Sequence, residues 1–289
     1  MRYAVIDVGS NSVRLMISEN GHTLSKDVKI TKLVYGFANG NLSLDSVQRT
    51  VEAVSFFVEV AKNKKVDKIL IFATAGVRSA VNKSIVIDSI FQKTSIMIDV
   101  ISGEKESKIG ALGALNGLDG GVIDIGGASS EIAIVKDSDI VFSHSVDIGC
   151  VKLTNICGQD RLKAKQIINN YISEYGLVPN AIMYGIGGTI TSLSAMLQNL
   201  QVYDSNLVDK SIIKKHQLSN LVDKLYVMTV EQRKNYKSLQ PQRADVIANG
   251  ANILLEIMNY LNINSIIVSE SDNLEGYLID YLENYEQKN

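Results

Sequence analysis

The sequence predicts an α/β protein built from two similar halves, each a sheet covered by helices. The first observation is an internal repeat, because VIDVGSNSVRLMI at residues 5–17 superposes without a gap on VIDIGGASSEIAI at residues 122–134. Each copy is an apolar β-branched run, a tight polar turn and a strand of alternating character. The second observation is that strands and helices follow in the same order after each copy, as expected of a duplicated unit.

Each copy of the repeat ends its first strand on an acid, Asp7 in the first and Asp124 in the second. These side chains therefore lie at the mouth of a hairpin rather than in a core. The period of two along the returning strand places one hydroxyl and one charged group on its polar face. The two sets are Ser12 with Arg14, and Ser129 with Glu131. Two ordinary hairpins with solvated polar residues would also fit, but the matched pair favours a functional role.

The turns of the two hairpins are predicted to bind anions. Glycines let the backbone approach a ligand closely, and free backbone N–H groups of such turns can cradle phosphate oxygens. The residues of these turns are Gly9, Ser10 and Asn11 in the first copy, and Gly126, Gly127 and Ala128 in the second.

The rest of the first half follows from periodicity and capping signals. A third strand over residues 22–35 precedes a loop from Gly36 to Gly40. Ser43 is a helix N-cap, with Asp45 in the first turn of the helix that follows. The later elements are a strand at 67–73, a helix from Thr74 to about Phe91, a strand at 96–101 and a helix over about 104–117.

The second half repeats this order and then departs from it. Its elements are the hairpin, a strand near 139–147, helices through 150–175, a strand at 181–185, a helix from Thr189, inserted helical material over 198–240, a helix near 242–261, a strand at 265–269 and a helix at about 272–284. Three strands followed by alternating helix and strand, twice over, is the plan of paired ribonuclease-H-like domains. The expected domains are 1–118 and 119–271, with an interdomain cleft between the two acid hairpins. The C-terminal helix (272–289) is a candidate to pack on the first domain.

Composition excludes several classes of protein. The 289-residue chain is 46% hydrophobic and 21% charged, with a formal net charge of -2. This balance argues against non-specific binding to nucleic acid or to an acidic membrane. No signal peptide or bilayer-spanning stretch is visible, so a cytoplasmic protein is expected. Cys150 and Cys157 lack a zinc pattern and are expected to be reduced thiols, and the three histidines are too scattered for a metal site.

Several further segments carry a resemblance to a known family. They are IDVGSNSVRL at the start, TAGVRSAVN at 74–82, ISGEKESKIGALG at 101–113, VIDIGGASSE at 122–131, GCVKLT at 149–154, YGIGGTITSL at 184–193 and RADVIANGA at 243–251. Together they resemble the exopolyphosphatase and guanosine pentaphosphate phosphohydrolase family of the actin-like superfamily, over nearly the whole chain. The chain departs from the family pattern at Ala128, where a third glycine is usual, and at Leu274, where an arginine is usual.

The resemblance implies a role for each matching residue. Glu106 is the expected catalytic base, which orients the attacking water, and Arg14 and Arg78 are the expected phosphate-contacting arginines. Asp124 and Glu131 match the acids associated with Mg²⁺. Asp7 matches the acid of the first phosphate loop and is also a candidate ligand of the metal. Weaker candidates for phosphate binding are Lys152 and the turn of Gly187, Gly188 and Thr189. That turn equally suits a plain strand-to-helix connection. Arg233 and Lys234 are expected on a solvated helix face.

The resemblance implies Mg²⁺-dependent release of terminal orthophosphate from inorganic polyphosphate, and a homodimer is the expected assembly. Hydrolysis of guanosine pentaphosphate at the same site is the nearest alternative. A sugar kinase or ATPase of the actin-like superfamily would use Asp7 near a sugar or nucleotide, and the segments around Glu106 and Arg78 disfavour it. A sensor that binds alarmone nucleotides without cleaving them is disfavoured by the presence of Glu106, Asp124 and Glu131.

Overall fold

A computed structural model describes residues 1–35, 37 and 40–285 of the chain, without the side chain of Tyr285. The predicted loop from Gly36 to Gly40 lies mostly outside the described residues. Within them, the chain forms two β-sheets flanked by helices, which confirms the predicted α/β class.

The first sheet has five strands in the order β3-β2-β1-β4-β5. The strand β1 pairs antiparallel with β2 and parallel with β4, so the hairpin comes first and the crossover helices follow. The elements are β1 (Arg2–Val8), β2 (Ser12–Glu19), β3 (His22–Ile30), α1 (Leu44–Asn63), β4 (Lys68–Ala73), α2 (Ala75–Arg78), α3 (Lys83–Thr94), β5 (Ile98–Val100) and α4 (Gly103–Leu115).

The second sheet has six strands in the order β10-β11-β9-β6-β7-β8. Its central strands repeat the plan of the first sheet, because β6 pairs antiparallel with β7 and parallel with β9. The elements are β6 (Gly120–Ile125), β7 (Ser130–Lys136), β8 (Asp139–Val146), α5 (Cys150–Cys157), α6 (Arg161–Ile172), β9 (Met183–Ile186), α7 (Gly187–Leu197), α8 (Ser205–Val208), β10 (Ile212–Lys214), α9 (Lys215–Val227), α10 (Val230–Arg233), α11 (Ile247–Tyr260), β11 (Ser265–Val268) and α12 (Asn273–Tyr285).

Some local predictions are confirmed, and others were wrong. Ser43 caps α1 by accepting a hydrogen bond from the backbone N–H of Ser46. Both cysteines are buried free thiols. The helix expected from Thr74 to Phe91 is instead two helices, α2 and α3, and the third strand stops at Ile30.

The inserted segment differs from its prediction in two ways. It contains a strand, β10, which pairs antiparallel with β11 at the edge of the second sheet. The prediction that Arg233 lies on a solvated face was wrong. Its guanidinium is fully buried and donates hydrogen bonds to the carbonyl oxygens of Leu225 and Ala244. This side chain therefore ties α10 to its neighbours, a role that helical periodicity cannot reveal.

The C-terminal helix α12 packs on the first sheet rather than on the second. Leu274, Tyr277 and Leu278 share an apolar cluster with residues of β1 and β4. The ring of Tyr277 stacks on that of Phe72 with centroids 4.4 Å apart. The junction between β11 and α12 therefore passes directly between the two sheets. Among the described residues, no helix combines the length and apolar character needed to span a bilayer.

Candidate active site

The two glycine turns meet at one cavity between the sheets. A Cβ placed on Gly127 would lie 2.7 Å from the Cβ of Ser10 and 3.3 Å from the backbone nitrogen of Asn11, so the two turns lie close together. The two turns therefore open into one common space, as the sequence predicts. The cavity is lined by Asp7, Gly9, Ser10, Asn11, Ser12, Arg14, Thr74, Glu106, Asp124, Ile125, Gly126, Gly127, Ser129, Cys150, Gly187, Gly188, Thr189, Arg243 and Asn273.

The backbone of both turns is arranged to receive an anion. The N–H groups of Ser10, Asn11, Gly127 and Ala128 donate no hydrogen bond within the described part of the chain. The carbonyl oxygens beside them are used, since that of Gly127 accepts from Val151 and that of Asn11 from Thr31. The side chain of Asn11 is buried, and neither of its polar atoms has a hydrogen-bond partner among the residues that the structure describes. Such donors favour a bound anion, because buried polar groups without partners are costly.

Glu106 reaches the cavity from the first turn of α4. Ser102 caps this helix by accepting from the N–H of Lys105, and the helix dipole favours a carboxylate at this end. One oxygen, Oε2, accepts a hydrogen bond of 2.8 Å from Nη1 of Arg78. Burial raises the pKa of Glu106 to about 7, and the charge of Arg78 opposes this rise. A carboxyl group with such a pKa is suited to proton transfer near neutral pH.

In the first hairpin, Asp7 and Arg14 face each other across the ladder and form an ion pair. Nε of Arg14 lies 2.9 Å from Oδ2 of Asp7. Nη1 of Arg14 donates to Asp272, at the start of α12. Burial raises the pKa of Asp7, and the charge of Arg14 opposes this effect. The expected phosphate-binding arginine is therefore held between two carboxylates.

In the second hairpin, the residues at the equivalent positions are both acids. Asp124 lines the cavity and accepts a hydrogen bond of 3.0 Å from Nδ2 of Asn273. Glu131 lies behind it, on a small cavity bordered also by Glu106 and Asp124. Its Oε1 accepts from the hydroxyl of Ser145 at 2.7 Å, whereas Oε2 is buried and has no partner within the described ranges of the chain. Burial, with the neighbouring acids, raises the pKa of Asp124 to about 7 and that of Glu131 well above its ordinary value.

Asp124 and Glu131 are the candidate ligands for Mg²⁺. The unpartnered oxygen of Glu131 and the raised pKa of Asp124 both indicate a need for positive charge at this hairpin. In the described part of the chain, no three histidine, cysteine or acidic side chains converge to hold one ion. Two carboxylates completed by water and phosphate oxygens suffice for Mg²⁺, so these residues fit this ion.

The remaining predicted residues divide into two groups. Gly187, Gly188 and Thr189 line the cavity, and Thr189 donates to the carbonyl oxygen of Ile125 at 2.9 Å. Arg78 and Lys152 do not line it. Arg78 contacts Glu106, and Nζ of Lys152 pairs with Asp147 at 2.6 Å on the surface. Ala128 is buried beside the cavity without lining it.

Three lining residues carry polar groups that sequence reasoning did not single out, namely Arg243, Asn273 and Thr74. The guanidinium of Arg243 lies against Gly188, where a Cβ would be only 2.4 Å from Nη2. Its one hydrogen bond in the described residues is from Nε to Gln240 at 3.0 Å, and it has no acidic partner there. Burial lowers the pKa of Arg243. The RADVIANGA segment contains this arginine, but no spacing in the sequence connects it to the turns.

Comparison with known proteins places the chain among phosphatases. A family model described as "Ppx/GppA phosphatase family" matches residues 13–285. The chain is 29% identical to Exopolyphosphatase 2 of Mycobacterium tuberculosis, covering 95% of this chain and 97% of that protein. It is 30% identical to the bifunctional 3-dehydroquinate synthase/phosphatase of Fusobacterium nucleatum, covering 97% of this chain and 46% of that protein. It is 28% identical to the guanosine-5'-triphosphate,3'-diphosphate pyrophosphatase of Vibrio cholerae, covering 99% of this chain and 60% of that protein.

Solved structures give the same relationship. An exopolyphosphatase-like protein superposes with a TM-score of 0.92 at 25% identity, covering 97% of this chain and 98% of that chain. The Ppx/GppA family member of Aquifex aeolicus superposes with a TM-score of 0.81 at 26% identity, covering 99% of both chains. The two sheets and the cleft between them are thus the two-domain, actin-like fold that the sequence predicts.

Proposed function

Because the chain belongs to the Ppx/GppA phosphatase family, we propose that it is a Mg²⁺-dependent exopolyphosphatase that releases terminal orthophosphate from inorganic polyphosphate. One observation carries the proposal: both glycine turns, Glu106 and Asp124 line a single cavity. Cleavage of a phosphoanhydride requires mainly positioning and stabilisation of charge, since the transferred group needs little covalent help. This cavity offers both.

Glu106 is the proposed base. Its carboxylate orients a water molecule toward the terminal phosphorus and accepts one proton from it late in the reaction. The new P–O bond forms as the bridging P–O bond breaks, giving orthophosphate and a chain one phosphate shorter. Arg78 holds the carboxylate by its 2.8 Å hydrogen bond and opposes the rise of its pKa. Arg78 therefore favours the ionised base.

The phosphate groups are bound by this chain in two ways. The free N–H groups of both turns can donate to phosphate oxygens. Arg243 lines the cavity and has no acidic partner in the part of the chain that the structure describes, so its charge is available to an anion. Asp124, with Glu131 behind it, would hold Mg²⁺. When bound, that ion would neutralise charge on the phosphate oxygens.

Guanosine pentaphosphate is a second candidate substrate, favoured by the groove that continues from the cavity. Arg14 and Arg243 stand between the cavity and this groove. Beyond them, the described lining of the groove carries hydroxyl groups and carboxylates, and its lysine, Lys26, is paired with Glu275. This lining suits a nucleoside better than a run of phosphates. Its polar lining includes Thr191, Ser192, Tyr203, Ser205, Glu270 and Glu275.

Phosphate release from three substrates, assayed in parallel, tests the proposal. Polyphosphate, guanosine pentaphosphate and ATP are each incubated with the purified protein, with and without Mg²⁺. We expect Mg²⁺-dependent release that is fastest from polyphosphate. Faster release from guanosine pentaphosphate would select the second candidate. Release from none of them would contradict both, and transfer of phosphate to a sugar would indicate a kinase. We also propose that the protein is cytoplasmic and forms a homodimer. Sedimentation would test the dimer.

A further inference from the structure

The junction between β11 and α12 brings two adjacent side chains to the two hairpins. Asp272 accepts a hydrogen bond from Arg14 of the first hairpin. Asn273 donates one of 3.0 Å to Asp124 of the second. Both side chains are buried. No pattern in the sequence marks either residue, although both contact expected site residues.

The two carboxylate oxygens of Asp272 have separate tasks. Oδ1 accepts the backbone N–H of Leu274 at 3.0 Å, which caps the start of α12. The N–H of Asp272 in turn donates to Oε2 of Glu275 at 3.0 Å, which is the reciprocal contact of a capping box. Oδ2 accepts from Arg14. The cap and the contact with Arg14 can therefore be separated by substitution.

Asp272 is the second carboxylate on one guanidinium. Asp7 already occupies Nε and Nη2 of Arg14, at 2.9 and 2.7 Å. Arg14 lines both the cavity and the adjoining groove, so its charge faces any phosphate that enters. With two negative partners, this arginine offers no net positive charge. An incoming phosphate must compete with Asp272 for Nη1.

We propose that Asp272 is a positioning residue that limits the affinity of the cavity for phosphate by holding Arg14. It acts through Arg14 and does not touch the reacting atoms. The inference rests on the proposed function, because it assumes that a phosphate anion enters this cavity. Removal of its charge releases Nη1 to the anion and takes one negative charge from the cleft.

The test compares Asp272→Asn with Glu275→Gln. Asparagine is as good an N-cap as aspartate, so α12 keeps its start while the charge is lost. Glu275→Gln is the matched control. It removes one charge from the same capping box and the same groove, but its ionic partner is Lys26 rather than Arg14. Asp272→Ser, which also keeps a capping side chain, serves as a second variant.

Calorimetry with inorganic phosphate gives the primary readout, and the KM for polyphosphate gives the second. We expect phosphate to bind Asp272→Asn and Asp272→Ser about tenfold more tightly than the wild type, a change of about 1.4 kcal/mol. Glu275→Gln should stay within about twofold of the wild type, because its charge is paired with Lys26 and not with Arg14. KM should fall in parallel, with unchanged melting temperatures.

Two outcomes would overturn the inference. One is unchanged or weaker phosphate binding by both Asp272 variants while they remain folded. The other is equal tightening by Glu275→Gln, which would indicate general charge rather than the contact with Arg14. Phosphate binding needs no turnover. A wild-type protein that binds phosphate but hydrolyses nothing would contradict the proposed function alone.

Discussion

The two hairpins share a sequence pattern and a register but differ in one charge. In the first, Asp7 lies opposite Arg14 in the β1–β2 ladder. In the second, Asp124 lies opposite Glu131 in the β6–β7 ladder. Opposite charges facing each other stabilise a ladder, and like charges destabilise it. In the first hairpin, Arg14 therefore neutralises Asp7 within the ladder. In the second, Glu131 stands at the equivalent position, so the two acids need a cation from elsewhere.

The residues around the second hairpin do not supply the missing cation in the described part of the chain. No lysine or arginine in the described residues forms an ion pair with Asp124 or Glu131. Asn273 and Ser145 donate to them, but both donors are neutral. The duplicated hairpin backbone therefore carries two different sets of charged side chains. The first hairpin carries its cation in the chain, and we propose that the second binds a metal ion.

The largest expected effect is at Glu106, the proposed base in the cavity between the two hairpins. Glu106→Gln keeps the shape of the side chain but cannot accept a proton. We expect kcat to fall by roughly 10² to 10⁴, the usual contribution of general base catalysis, with little change in KM. Steady-state kinetics with polyphosphate measures both. Unchanged turnover would remove Glu106 from the mechanism and leave the hairpins as a binding site only.

A smaller effect is expected at Arg78, and it appears in the pH profile. The base must be ionised, so kcat rises with pH through the pKa of Glu106, which is about 7. Arg78→Gln removes the charge that opposes the rise of this pKa, so the acid limb should move up by about one pH unit or more. At pH 7, a move of one pH unit predicts a loss of about fivefold in kcat, because the ionised fraction of Glu106 falls from about a half to about a tenth. Arg78→Lys, which keeps the charge, should retain most of the wild-type profile.

The contrary result for Arg78 is equally specific. If KM rises strongly while the acid limb stays in place, Arg78 contacts phosphate directly, as the family resemblance implies. The contact with Glu106 would then be replaced when substrate binds.

The smallest effect is expected at Lys152, just beyond the second hairpin. Its ammonium group pairs with Asp147 and does not line the cavity. Lys152→Ala should therefore change KM by less than about twofold, as for other exposed ion pairs. A tenfold rise in the KM for polyphosphate would place this lysine on the path of the substrate.

Features that short stretches of sequence determine were predicted well. The repeat gave both hairpins, and Ser43 gave the start of α1, because short-range patterns determine such elements. Glu106 was found through the resemblance and lies in the cavity between the turns. A boundary such as the end of β3 at Ile30 depends on tertiary packing and was not predicted.

Residues brought to the site by long-range packing were missed. Arg243, Asp272 and Asn273 come from parts of the chain remote from both hairpins, and no periodicity relates them to the turns. The burial of Arg233 was missed for the same reason, because its partners are carbonyl oxygens on neighbouring segments. Sequence patterns show which face of an element is polar, but not which polar residue is sealed in by another element.

The charge difference between the hairpins is tested most directly by thermal melting with Mg²⁺. Burial raises the pKa of Asp124 to about 7, above its ordinary value. The folded state without metal therefore loses stability as pH rises through 7, and the ionised carboxylates then bind Mg²⁺ best. At pH 8, we predict that saturating Mg²⁺ raises the melting temperature of the wild type by about 5 °C, and less at pH 6.

The decisive comparison is between Asp124→Asn and Asp7→Asn at pH 8. The account predicts that Asp124→Asn abolishes the stabilisation by Mg²⁺. It predicts that Asp7→Asn keeps most of it, because Asp7 is paired with Arg14. Equal Mg²⁺ stabilisation of Asp124→Asn and the wild type, or its loss in Asp7→Asn alone, would contradict the assignment of the metal to the second hairpin.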